Sequence, residues 1–352
     1  MKNTKIKVGI THGDINGIGY EVIIKSLMDN RIFEICTPII YGSPKVAAYH
    51  RKALNIDNFS LNNIKEAHEA HPKRANIINC VDENVKVELG KSSRSAGTSA
   101  FQSLEAAVAD LKKGAIDVLI TAPINKKNIQ SKDFEFPGHT EYLESKLESG
   151  KSLMLLLSDK LRVGVVAGHV PIVDVPKKIT KEAILEKLEI LNTSLLKDFG
   201  IQRPKIAVLS LNPHAGDDGL IGMEEKEIIN PALDEARKNS IMALGPFPAD
   251  GFFGSDDYKK FDAILAMYHD QGLAPFKALA FDSGVNFTAG LSGIRTSPAH
   301  GTAYSIAGTN VASETSFREA LYLAIDIYRN RELFEEANKN PLKPAESVKN
   351  IQ

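Results

Sequence analysis

Three apolar runs in this chain each end on a histidine. Val163, Val165 and Val166 lead into Gly168-His169-Val170-Pro171. Ile206, Val208, Leu209 and Leu211 lead into Asn212-Pro213-His214-Ala215-Gly216. Ile264, Leu265, Ala266 and Met267 lead into Tyr268-His269-Asp270-Gln271-Gly272. Open parallel α/β sheets bind ligands beyond the carboxyl ends of their strands. Three imidazoles delivered to that edge can hold one metal ion and leave a coordination position open, which is the catalytic pattern. A single histidine of this kind is an ordinary loop residue; three in one topological setting point to a site. Downstream, Lys277, Asn286 and Arg295 read as loop residues around two short apolar runs, in a region poor in other charges. Arginine captures phosphate or carboxylate through two parallel N–H bonds. Pro137-Gly138-His139-Thr140-Glu141 reads as a turn that opens a helix, whose free N–H groups favour an anion. These residues together predict an anionic, metal-chelating small molecule as ligand.

The elements that must position them alternate. Residues 5–10 read as a first strand, 20–29 as a helix, 37–41 and 75–80 as strands, 99–113 as a helix and 116–121 as a buried strand. Residues 180–199 read as the longest helix, with Thr180 as its N-cap and Ile184, Leu185, Leu188, Leu191 and Leu195 as its apolar stripe. A further helix closes the pattern near residues 316–329. Alternation of this kind predicts an α/β protein with a mostly parallel sheet and helices on its faces. Residues 55–72 are polar, and 338–352 read as a loose tail.

At 352 residues the chain is too long for one small core and calls for two domains, or one large α/β unit with a subdomain. A net charge of −1 gives no electrostatic footprint for nucleic acid or an anionic membrane. The two cysteines, Cys36 and Cys80, read as core thiols and cannot build a cysteine zinc site. No run reaches the ~18 apolar residues of a membrane helix. The first residues carry no signal-peptide pattern, so a cytoplasmic location is expected. The turn Thr11-His12-Gly13-Asp14-Ile15-Asn16-Gly17-Ile18-Gly19 joins a strand to a helix without fitting G-x-G-x-x-G. Ser297-Pro298-Ala299-His300-Gly301-Thr302-Ala303, before Ile306-Ala307-Gly308, is another turn with backbone donors.

In order along the chain, these loops resemble the 4-hydroxythreonine-4-phosphate dehydrogenase family of pyridoxal phosphate biosynthesis. The matching stretches run from Gly13-Asp14 with Gly17-Ile18-Gly19 and Glu21, through the His139, His169 and His214 loops, Gly245-Pro246 and Pro248-Ala249-Asp250, to the His269 loop and Gly290-Leu291 with Arg295-Thr296-Ser297. The resemblance implies a two-domain α/β/α subunit like that of the isocitrate and isopropylmalate dehydrogenases, with the active site in the interdomain cleft. The expected first domain is 1–137 plus 305–352, and the second 138–304. It also implies a homodimer with the site at the subunit interface. The metal ligands map onto His169, His214 and His269, with His269 reaching in from the partner. Substrate contacts map onto His139, Thr140, Lys277, Asn286 and Arg295. Asp250 and Asp270 match acidic positions near the chemistry, and either is a candidate general base. His300, Gly301 and Thr302, with the following Ile306-Ala307-Gly308, resemble an adenine-binding loop, onto which NAD is carried, with NADP as the alternative. Three features depart from the family pattern: Ile15 and Tyr20 stand where prolines are usual, Ser292-Gly293 replace a more apolar pair, and Ala299 replaces an acid before His300.

The implied reaction oxidises the substrate hydroxyl to a 2-amino-3-oxo acid phosphate, which loses CO2 to give 3-amino-2-oxopropyl phosphate. Three imidazoles suit Zn2+, with Co2+ or Mg2+ as alternatives. Two other readings stay open on the residues: a related dehydrogenase acting on phosphorylated threonate or erythronate, and a non-redox metal hydrolase.

Overall fold

The computed structural model describes residues 5–82, 84–147 and 150–340. Twelve strands form one mixed sheet: β1 (Ile6–Thr11), β2 (Cys36–Gly42), β3 (Asn62–Ile64), β4 (Asn76–Asn79), β5 (Val118–Thr121), β6 (Leu153–Leu157), β7 (Arg162–Ala167), β8 (Lys205–Leu209), β9 (Met242–Phe247), β10 (Ala263–Tyr268), β11 (Val285–Ala289) and β12 (Ile294–Pro298). Their order is β3-β4-β2-β1-β5-β12-β11-β6-β7-β10-β8-β9. One parallel block runs from β3 to β12 and a second from β7 to β9. Between them β11 and β6 pair antiparallel with each other and with their outer neighbours. Every residue of β2 and β5 is buried, as expected for parallel strands covered on both faces. The expected mostly parallel α/β architecture is present.

The helices start where local chemistry places them. Ser43, Ser93 and Thr180 each accept a hydrogen bond from the backbone N–H three residues on, capping Pro44–Ala53, Arg94–Lys112 and Lys181–Lys197. The longest helix is Thr315–Ala337, at 23 residues, and not the stretch around 180–199, which gives 17. Its last turns are polar and charged, so hydrophobic periodicity fades there while helix-favouring Arg, Glu and Leu continue it. The expected tail from residue 341 onward lies outside the described residues. Lys277, Asn286 and Arg295 are not loop residues. Lys277 is in the helix His269–Ala280, which runs through Pro275, and the other two lie in β11 and β12. A proline inside a helix and strands of five residues are what sequence periodicity reads least well. Among the described residues, no helix is long and apolar enough to cross a membrane.

Candidate active site

Strand alternation builds the floor of a cleft across the antiparallel centre of the sheet. Side chains two apart on a strand share a face. The register sets Asn286 opposite both Ser297 and Leu156, and Thr288 opposite Met154. Arg295 and Ser297 of β12, Asn286 of β11 and Met154 and Leu156 of β6 therefore share one face, and all five line a cleft of about 340 Å³. Its walls come from strand ends, loops and helices: Thr121 at the end of β5, Ala122 to Ile124 and Lys126 after it, His139 at the start of the helix His139–Leu147, His169 after β7, His269 and Lys277 on the helix His269–Ala280, and His300-Gly301 after β12. The sequence-predicted residues His139, His169, His269, Lys277, Asn286, Arg295, His300 and Gly301 thus meet in one place. Thr140 and Thr302 each follow a lining residue.

The electrostatics are one-sided. Lys126, Lys277 and Arg295 line the cleft, and no carboxylate does. Arg295 is 3% exposed, yet among the described residues it has no ion pair. Its guanidinium donates to the hydroxyls of Thr121, at 2.9 and 2.7 Å, and of Thr288, at 3.4 Å, and to His139 Nδ1 at 3.2 Å. Burial lowers its pKa to about 10, which still leaves it protonated at neutral pH. The Glu141 carboxylate acts on it without forming an ion pair, and a buried cation with no direct partner is costly to the fold and attracts an anion. Because Arg295 only donates, Nδ1 of His139 must be the acceptor and Nε2 carries the proton. That N–H is buried and has no protein partner, and so are the Oδ1 of Asn286 and the Nε2 of His300. Burial, together with the charges of Arg295 and Lys126, holds the His139 pKa well below its ordinary value, keeping the ring neutral.

The three strand-end histidines divide. β7, β10 and β8 are adjacent and parallel, so their carboxyl ends share an edge, as expected. His169 and His269 lie together there, with ring centroids 5.7 Å apart and planes inclined by 44°. Two imidazoles at that spacing can reach one ion through bonds of about 2.0–2.1 Å. Partial burial, Lys126 and His269 lower the pKa of His169, which favours the neutral ligand form. His214 is exposed and does not line the cleft. Among the described residues no three His, Cys, Asp or Glu side chains form a metal-holding group. A three-imidazole group is therefore not assembled among the described residues of one chain.

His214 opens a run of six residues with positive φ, from His214 to Gly219. Four of them are not glycine, and the left-handed region costs an L-residue about 1–2 kcal/mol. The 2%-exposed Glu225 holds the run's entry. Its carboxylate accepts from the backbone N–H groups of Leu211 and Asn212, both at 2.8 Å, and from the Asn212 amide at 3.0 Å. Asp250, at the start of the helix Ala249–Gly254 after β9, is exposed and outside the cleft. Asp270 is 85% exposed and accepts from or faces His269 Nδ1 at 2.7 Å, also outside the cleft lining.

Sequence reasoning missed Lys126, Thr121 and Ser297. The signal for the first two was the same strand-to-loop transition that singled out the histidines, here at the end of β5. A larger cleft, about 600 Å³, lies between Lys181–Lys197 and Thr315–Ala337. Its cations are already paired: Lys151 with Glu186, Lys197 with Glu335, and Arg331 with Asp198.

Known proteins match over the same span. The family described as "Pyridoxal phosphate biosynthetic protein PdxA" matches residues 34–324. A 4-hydroxythreonine-4-phosphate dehydrogenase of Bacteroides thetaiotaomicron is 58% identical over 97% of this chain and 94% of its own. A relative from Oceanobacillus iheyensis, provisionally named a D-threonate 4-phosphate dehydrogenase, is 39% identical over 91% of this chain and 97% of its own. The crystal structure of 4-hydroxythreonine-4-phosphate dehydrogenase from Klebsiella pneumoniae superposes with a TM-score of 0.81, at 33% identity, over 93% of this chain and 99% of that one. With its fold, its cleft and this coverage, the chain belongs to the PdxA family of pyridoxal phosphate biosynthetic proteins.

Proposed function

We propose that this chain is a dehydrogenase that oxidises 4-hydroxythreonine 4-phosphate to a 2-amino-3-oxo acid phosphate, which loses CO2 to give 3-amino-2-oxopropyl phosphate. The observation that carries the reading is the cleft lined by three cations and no carboxylate. Arg295, Lys277 and Lys126 would take the phosphate, the most charged part of the substrate. The N–H of His139 Nε2 and the Oδ1 of Asn286, both without protein partners, are left to bind the substrate's remaining polar groups. Thr140 adds a hydroxyl at the same helix start. His300, Gly301 and Thr302 would hold NAD, or NADP.

The metal ligands would be His169, His269 and His214. The family resemblance has His269 cross from a partner. The geometry of one chain supports a different division, with His169 beside His269 and His214 supplied by a second copy. Asp250 lies on the same outer side as His214, after the edge strand β9, and would enter the partner's cleft with it as the general base. Apolar side chains exposed around these loops, Leu220 at 83%, Met223, Met242 and Leu244 among them, support a homodimer contact. A divalent ion, Zn2+ first with Co2+ or Mg2+ as alternatives, would acidify the substrate hydroxyl, and NAD would accept the hydride. A division into two domains, 1–137 plus 305–352 and 138–304, would set the cleft between them, and the lining residues drawn from both ranges support it. A cytoplasmic location fits a soluble phosphorylated substrate.

One observation favours a second reading. The cleft wall of a single chain has no carboxylate to pair with a substrate ammonium. Phosphorylated threonate or erythronate lacks that group, and the Oceanobacillus relative is named for such a substrate. Reduction of NAD with each substrate, with and without a chelator, tests the proposal. The amino substrate should give the higher kcat/KM, lost on chelation. Higher kcat/KM with threonate phosphate would move the assignment to the second reading, and no NAD reduction with either would overturn both.

A further inference from the structure

The turn between β1 and the helix Gly19–Leu27 carries a fully buried carboxylate, Asp14, at 0% exposure. No cation pairs with it among the described residues. Its donors are neutral and come from three separate segments. The backbone N–H of Asn16 donates to Oδ1 at 2.9 Å. The Asn128 amide, at 2.8 Å, and the Tyr304 hydroxyl, at 2.7 Å, donate to Oδ2. Hydrogen bonds to a carboxylate in a water-poor setting are strong and directional. Burial and the neighbouring Asp14 push the Tyr304 phenol up to about 12, so it stays a donor across the working range.

Tyr304 follows Thr302 and Ala303 on the loop that leaves β12. That loop leans on the Asp14 turn at two further points. The N–H of Ile18 donates to the Thr302 carbonyl at 3.1 Å, and a Cβ on Gly17 would lie 2.7 Å from that same oxygen. Only glycine permits so close an approach. Ala303 sits at φ 44° and ψ 51°, a left-handed conformation that alanine avoids. A bond on each side of Ala303 holds it there: Thr302 through Ile18, and Tyr304 through Asp14. Asn16, also fully buried, ties the turn to a third segment, donating to the Lys91 carbonyl at 2.8 Å and accepting from the N–H of Glu88 at 2.7 Å.

We propose that Asp14 and Tyr304 form a clasp that fixes the shape of the His300-Gly301-Thr302 loop, making Tyr304 a positioning residue for the dinucleotide and not for the phosphorylated substrate. The inference rests on the reading of that loop as the cofactor site. Of the groups proposed for the phosphorylated substrate, Arg295, Asn286 and Lys277 come from β12, β11 and the helix His269–Ala280, none of which the clasp touches, and Lys126, two residues before Asn128, makes no bond to Asp14 or Tyr304. The two KM values should therefore respond separately.

Tyr304→Phe keeps the ring and removes the one donor. It should raise KM for NAD by about tenfold, the worth of one hydrogen bond to a charged group, and weaken NADH binding measured directly by calorimetry to the same degree. KM for the phosphorylated substrate should change by less than about twofold on the same scale. Gly301→Val is the companion variant. Open space surrounds Gly301, so the fold accepts a side chain there, while a bound dinucleotide would not. If Gly301→Val abolishes NADH binding and Tyr304→Phe leaves it unchanged, the clasp is overturned and the loop reading stands. If both leave NADH binding unchanged, both fall. Equal rises in the two KM values for Tyr304→Phe would also overturn the proposal, since they would mark a general structural role.

Discussion

Arg295 donates from both Nε and Nη2 to a single acceptor, the hydroxyl of Thr121, at 2.9 and 2.7 Å. The two residues are 174 positions apart in sequence and meet because β12 pairs with β5. The hydroxyl turns the fork of the guanidinium, which has no direct ion pair among the described residues.

Thr121→Val keeps the volume and removes that acceptor. A buried donor pair left unsatisfied costs about 1–3 kcal/mol. The expected outcome is a KM for the phosphorylated substrate raised by roughly tenfold, with KM for NAD unchanged. Steady-state kinetics with each substrate varied in turn checks it; equal effects on both would count against Arg295 as the phosphate anchor.

Lys126 adds a cleft cation from the loop that follows β5. A methylene-rich neutral substitute separates its charge from its bulk. Lys126→Met should raise KM for the phosphorylated substrate, and the loss should shrink as salt rises, because an exposed ammonium is screened. Kinetics at two ionic strengths measures this. A salt-independent change would assign Lys126 a packing role.

The side chains nearest the first turn make the protein sensitive to acid. His12 and His50 stack on either face of Tyr20, with centroids 5.2 and 5.1 Å away. Burial lowers the pKa of each to about 4. The unfolded chain binds these protons from about pH 6.5, its ordinary histidine value, and the folded chain only near pH 4. Stability is therefore full above pH 6.5 and falls as pH drops from 6.5 toward 4, by up to roughly 3 kcal/mol for each ring. Urea unfolding at neutral pH and at pH 5 should show this loss, and His50→Gln should reduce it by about half, leaving the His12 part. A stability that is level across that interval would refute the buried neutral state.

The left-handed run after β8 stores strain that glycine relieves. Ala215 has φ 54° and ψ 38°. Ala215→Gly should stabilise the fold by about 1 kcal/mol, less whatever the extra freedom of the unfolded chain takes back. Thermal unfolding reads the sign, and a clear loss of stability would mean that the Ala215 methyl group makes contacts worth more than the backbone strain.

Much of this was legible in the sequence because it is local. Strand periodicity ending in Gly168-His169 or Tyr268-His269 is written within ten residues, and so is the Thr180 cap; the helix expected from 99 instead begins at Arg94 behind a Ser93 cap, ahead of its apolar stripe. What was not legible depends on pairing. Arg295 and Asn286 read as loop residues because strands of five residues carry little periodicity, and only the register with β6 sets them on one face. Tyr20, where the family pattern has proline, is the centre of a buried ring stack inside a helix, which its position in the sequence does not reveal. The division of the three histidines could not be read from spacing at all, since adjacent strand ends alone do not say which rings turn toward one cleft.

The central claim is that one metal site takes its imidazoles from two copies of the chain, and mixing inactive variants tests it most directly. His169→Ala and His214→Ala are each refolded or co-expressed together in equal amounts. If His214 crosses, half of the dimers are mixed and one of the two sites in each is intact, so about one quarter of full activity returns. His169→Ala with His269→Ala should return none, because both rings belong to the same cleft. Recovery in the second pair but not in the first, or in neither, would contradict this account.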